Sequence, residues 1–137
     1  MEFIAALIVT SSILGAGFLL GYNRDRSYYT TILIVIALIY VLFGFMEGTA
    51  QRILVESVIA LIFIAAAILG ERLSHMITGV FIILHGIFDV MHPQLLPGKV
   101  VPEWYPLFCL YVDLMLGFAV IILNARGYLP RRKESSE

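Results

Sequence analysis

Three ionisable side chains lie within one short stretch, His85-Gly-Ile-Phe-Asp89-Val-Met-His92, that is otherwise apolar enough to cross a membrane. Ionisable groups inside a spanning helix are costly, turn toward protein or a wet cavity, and mark functional sites by default. Their spacing is i, i+4 and i+7, so on a helix they form one stripe. A carboxylate between two imidazoles suits either of two tasks: orienting a histidine tautomer or holding a metal ion. Both tasks require partners from other helices, and Asp113, Glu56 and Glu47 are available, giving two imidazoles and up to four carboxylates.

The elements that must position them follow from composition. Of 137 residues, 61% are hydrophobic and 14% charged, and the mean hydropathy is +0.95. Soluble domains carry about a quarter charged residues. A hydrocarbon core of about 30 Å takes about 17 to 25 apolar residues as a helix. Five segments qualify: Phe3 to Gly21, Thr30 to Met46, Ile53 to Leu69, Met76 to His92, and Leu107 to Leu123. The expectation is an all-α, polytopic membrane helical bundle with five transmembrane helices. Residues 1–125 form that single bundle and 126–137 a short basic, then polar, tail. Met-Glu-Phe-Ile carries no basic n-region, so the first segment reads as a retained helix.

Basic residues in short loops favour the cytoplasm. With the C-terminus inside, Arg24, Arg26, Arg72, Arg126, Arg131, Arg132 and Lys133 lie on the cytoplasmic side, and only Arg52 and Lys99 outside. The N-terminus is then outside, and a plasma (inner) membrane is the expected location. Glu47, Glu56, Asp89, His92 and Asp113 all fall in the outer half. At about 1.5 Å of rise per residue, His85 and Asp113 share a depth of about 10 Å, and Glu56 and Asp89 one of about 5 Å.

The inventory permits a divalent metal such as zinc, iron or manganese. A single ion held by His85, Asp89 and Asp113, with water in the fourth position, is the simplest arrangement; His92 is a ligand or a proton shuttle, and Glu56 or Glu47 a general base. A dinuclear site bridged by Asp89 is the alternative, although the Glu-x-x-His pair of di-iron bundles is missing. Haem is not expected, because His85 and His92 share one helix and His75 adjoins it. Retinal is excluded because Lys99 and Lys133, the only lysines, lie outside the spans. No basic patch with interleaved aromatics suggests nucleic acid. Cys109, alone, forms neither an intrachain disulfide nor a Cys-x-x-Cys pair. His75 reads as a headgroup-level residue.

Gly17 with Gly21, and Gly44 with Gly48, have the spacing that lets helices approach closely, within a monomer or a homo-oligomer. Pro93 is expected to end the fourth helix, and the proline-bearing loop to Pro106 either lids the cluster or rests on headgroups through Trp104 and Tyr105.

The pattern Leu84-His85-x-x-x-Asp89-x-x-His92, then Cys109-x-x-x-Asp113, resembles a family of small bacterial and fungal membrane proteins catalogued only as a domain of unknown function. The resemblance covers roughly the C-terminal 50 residues. It departs at Pro93, where the family has a second histidine, and at Phe108. It implies that His85, Asp89, His92, Cys109 and Asp113 belong together, and implies no activity. In ligand types alone the site is similar to membrane hydrolases of the alkaline ceramidase and adiponectin-receptor superfamily. The leading expectation is a metal-dependent hydrolase of a membrane lipid or another apolar substrate. The competing classes are a proton- or ion-coupled transporter or channel working as an oligomer, and a non-catalytic membrane subunit.

Overall fold

In lipid every backbone N–H and C=O must find its partner within the protein, which leaves long apolar runs little choice but the helix. The computed structural model, which describes residues 1–131, contains five such helices: α1 (Glu2–Leu19), α2 (Tyr28–Glu47), α3 (Ala50–Leu73), α4 (His75–Leu95) and α5 (Tyr105–Ala125), with one 3-10 turn, Tyr22–Arg24, between the first two. All five are long and apolar enough to cross a membrane. Residues 132–137, half of the expected tail, lie outside the described residues. Large apolar side chains such as Phe45, Leu54, Leu61, Ile62 and Met91 face outward, the pattern of a surface solvated by lipid chains rather than water.

The turns between helices are short and chemically specified. Gly48 caps α2 at φ 79°, a left-handed backbone that glycine adopts without strain, and its N–H returns to the Gly44 carbonyl. Thr49 then caps α3 through its side-chain oxygen, 3.2 Å from the Arg52 N–H. Ser74 alone separates α3 from α4; it ends one helix through its N–H to Gly70 O and starts the next through its hydroxyl, which accepts from Ile77. Such turns leave α2, α3 and α4 antiparallel neighbours. α4 also packs extensively against α5, and α1 lies mainly on α5.

Four sequence expectations change. Gly48 and Gly21 serve turns, with φ of 79° and 75°, rather than helix seams. Gly44 does meet the expectation of close packing within the monomer, since a Cβ there would lie 3.0 Å from Ile53 Cα on α3, and a further close seam joins α4 and α5, where a Cβ on Gly79 would lie 2.8 Å from the Gly117 carbonyl oxygen, and one on Gly117 2.7 Å from that of Gly79. Pro93 does not end α4, which runs to Leu95. His92 stays helical although a proline disfavours that geometry in the residue before it, and the departure comes four residues later at Leu96, which precedes Pro97 and has φ −130° and ψ 73°. The expected basic, then polar, tail is not wholly polar either, because Gly127 turns at φ 77° and brings Leu129 into the core with Tyr29, Leu33, Ile82 and Leu116.

Candidate metal centre

The stripe on α4 is buried, with His85, Asp89 and His92 at 3%, 5% and 2% exposure, and the structure divides it between two networks. In the first, His85 Nδ1 lies 2.8 Å from Asp113 Oδ2 on α5 and 3.4 Å from Asp89 Oδ2. The Tyr40 hydroxyl on α2 donates to Asp89 Oδ1. Gly86 makes the approach possible, since a Cβ there would sit 2.6 Å from the Asp113 Cβ. One ligand atom each from His85, Asp89 and Asp113 can be chosen so that all lie within 4.8 Å of one another. Around a tetrahedral ion with bonds of about 2.1 Å, ligand atoms stand about 3.4 Å apart. The His85–Asp89 separation already matches this, and the hydrogen-bonded His85–Asp113 pair needs to open by about 0.6 Å.

Charge makes the same cluster unusual. Two buried carboxyls face one imidazole and one phenol, so with both ionised even an imidazolium leaves one negative charge unbalanced where solvent cannot screen it, a cost that a bound cation or a proton on one carboxyl removes. Asp89 Oδ2 and His85 Nε2 are buried without a hydrogen-bond partner. The cluster borders a cavity of about 120 Å³ with aliphatic walls from Val9 and Ile13 of α1 and Ile32, Ile36 and Ile39 of α2; Tyr105, Cys109 and Asp113 line it from α5. That is room for several waters. A second cleft of about 510 Å³, between the first turns of α1 and α5, shares Val9 and Phe108 with it.

The second network joins α3 to the end of α4. His92 Nε2 lies 3.0 and 2.8 Å from the two oxygens of Glu56, and Arg52 donates to Glu56 Oε1 at 2.8 Å. Two further Arg52 donors reach Pro97 O at 3.1 Å and Leu96 O at 2.7 Å, the carbonyls where α4 stops; a cation there also complements the helix dipole. Glu47 stands apart, accepting from the Lys99 and Val100 N–H groups at 2.8 and 3.1 Å, and so ties the α4–α5 connection to the α2–α3 turn. Among the expected site residues, then, His85, Asp89 and Asp113 come together with Cys109 on the same cavity, His92 and Glu56 pair with each other, and Glu47 joins neither.

Tyr40 is the member that sequence reasoning missed. Its ring lies between the two histidines, with centroids 5.3 Å from His85 and 5.2 Å from His92, and packs edge-on to Phe88. A phenol deep in a span needs a partner for its hydroxyl, and that was the available signal. His75, expected at headgroup level, is also buried, with Nε2 3.1 Å from Pro130 O, because the returning residues after Gly127 cover it. No known protein family, curated protein or solved structure matches the chain, so any function must be argued from this chemistry.

Proposed function

We propose that the protein is a membrane-embedded, metal-dependent hydrolase of a lipid or another apolar substrate, with His85, Asp89 and Asp113 as metal ligands. The observation that carries the reading is the convergence of these three buried groups, two carboxyls against one imidazole and with an Asp89 oxygen left without a hydrogen bond, beside an aliphatic cavity. A divalent cation there balances the carboxylates and, when bound, lowers the pKa of a coordinated water toward neutrality. Tyr40 fixes the Asp89 carboxylate, the cavity holds the water and a hydrocarbon segment, and the adjoining cleft between α1 and α5 gives a chain-shaped substrate a route from Trp104 inward.

The distribution of arginine and lysine supports a reading with the N-terminus outside, the C-terminus in the cytoplasm and the centre in the outer half of a plasma-type membrane. The test is turnover by full-length protein in lipid nanodiscs, presented with long-chain esters and amides. The reading requires product release that chelation abolishes and metal restores, and that is lost in a His85→Ala variant with unchanged helical circular dichroism; chelator-insensitive turnover, or none across that panel, counts against it.

One observation favours a second reading. The Tyr40 ring touches both histidines, and His92 is hydrogen-bonded to Glu56 near the α4–α5 connection, titratable groups suited to passing a proton in an ion-coupled transporter. That reading requires a homo-oligomer and pH-driven charge movement in metal-free liposomes.

A further inference from the structure

On sequence, Tyr105 belongs with Trp104 at the headgroups, and the structure separates the two. Trp104 stays outside, 53% exposed. Tyr105 opens α5 and turns inward, its ring edge-on to Phe43 of α2 at 5.3 Å, packed on the cluster that Phe43 forms with Tyr40 and Ala60. Pro106 directly after it stiffens the first turn of the helix. Tyr105 is thereby held at the wall of the cavity of about 120 Å³ beside the His85 centre, next to Phe108 and Cys109.

A phenol held within a span needs a partner for its hydroxyl. Tyr40 has the Asp89 carboxylate. The hydroxyl of Tyr105 meets the Cys109 thiol instead, with Asp89 and Asp113 close enough to act on it electrostatically. Cys109 stands one turn outward from Asp113 on α5, and Asp89 one turn outward from His85 on the antiparallel α4, so a hydroxyl brought to Cys109 ends level with Asp89. Sulfur is a weak acceptor, and a good donor on the cavity wall is left with a poor partner. An anion is not the better one, because two carboxyls stand beside it. Water or an alcohol brings a further donor that aliphatic walls cannot accept. A carbonyl is the neutral acceptor with no donor of its own, and an alkyl chain attached to it suits the walls formed by Val9, Ile13, Ile32, Ile36 and Ile39.

We infer that Tyr105 is the substrate-binding residue of this cavity, its hydroxyl turning from the Cys109 sulfur to the carbonyl oxygen of a long-chain acyl compound. The inference rests on the reading that this cavity receives the substrate, and it narrows that substrate from any apolar compound to one with a carbonyl.

The test uses full-length protein in zwitterionic nanodiscs, stripped of metal by chelation, and a long-chain methyl ketone that carries an isotope-labelled carbonyl and cannot be hydrolysed. The infrared stretch of that carbonyl falls in frequency when it accepts a hydrogen bond. The inference predicts a lowered band, absent from empty nanodiscs, that saturates at equimolar ketone. Tyr105→Phe should return the band to the frequency of ketone in lipid and weaken binding about fivefold, the loss expected for one neutral hydrogen bond. Val9→Trp, at a residue shared by the cavity and the cleft that leads to it, should abolish the band with helical circular dichroism unchanged. No saturable lowered band in the wild type, or one that persists in folded Tyr105→Phe or Val9→Trp, overturns the inference. Because the ketone reports binding without turnover, the two readings separate. A Tyr105-dependent band in a protein that hydrolyses neither esters nor amides keeps the carbonyl site and sinks the hydrolase; chelator-sensitive hydrolysis without that band does the reverse.

Discussion

The two networks on the α4 stripe use the same residue types and differ in how completely they are satisfied. Around Glu56 one carboxylate meets one guanidinium and one imidazole, every donor from Arg52 named above finds an oxygen, and the group ties α3 to the end of α4. Around His85 two carboxylates meet one imidazole, an oxygen and a ring nitrogen are left without hydrogen bonds, and a cavity adjoins them. A buried polar group that is fully paired is explained by the fold. One that is over-charged and under-bonded calls for something the fold does not provide, and the contrast is the reason for assigning structure to the first network and chemistry to the second.

The contrast breaks most visibly under carboxylate substitution. Glu56→Ala leaves a guanidinium and an imidazole without their shared partner and should cost about 3–5 kcal/mol, as for breaking other buried ion pairs, measured by denaturant titration in detergent. Asp113→Asn in metal-free protein should cost less than about 1 kcal/mol or stabilise, because it removes the unbalanced charge and keeps a group that can bond to His85. Equal losses in the two variants would erase the distinction.

Substitutions that disturb positioning sharpen it further. Gly86→Ala drives a methyl into the Asp113 side chain and should cost about 1–3 kcal/mol by overpacking, with weaker metal binding although no ligand is removed. Tyr40→Phe removes the donor to Asp89 and should cost about 1.5 kcal/mol, the low end for hydrogen bonds to charged groups, and less in metal-loaded protein. Glu47→Gln, at the partly exposed strap on the α4–α5 connection, should cost below about 1 kcal/mol and leave metal content unchanged.

Much of this was readable before any coordinates. Five apolar runs identify five helices, because lipid permits no other open structure, and helical spacing alone puts 85, 89 and 92 on one stripe. Equal depth paired His85 with Asp113. Depth could not say which way each helix is rotated, and rotation decides that Glu56 meets His92 and that Glu47 turns to the loop. The extension of α4 past Pro93 was not legible, since the rule that takes Leu96 out of the helix before Pro97 would equally take His92 out before Pro93, and His92 stays helical. Nor was the α4–α5 seam legible, because Gly79 and Gly117 become a pair only once both helices are docked. Tyr40 was hidden by its type: an aromatic in a span is ordinary until its hydroxyl is counted as a polar group in need of a partner.

The central claim is that the His85 cluster is a metal centre and the Glu56 network is not. Elemental analysis of detergent-purified protein, prepared without exposure to an affinity-tag metal, tests it on the wild type beside Asp89→Ala and Glu56→Gln. The account predicts near-stoichiometric zinc, iron or manganese in the wild type and in Glu56→Gln, and its loss in Asp89→Ala. Folded wild type that neither carries such an ion nor takes one up on reconstitution, or an ion retained in Asp89→Ala, would contradict it.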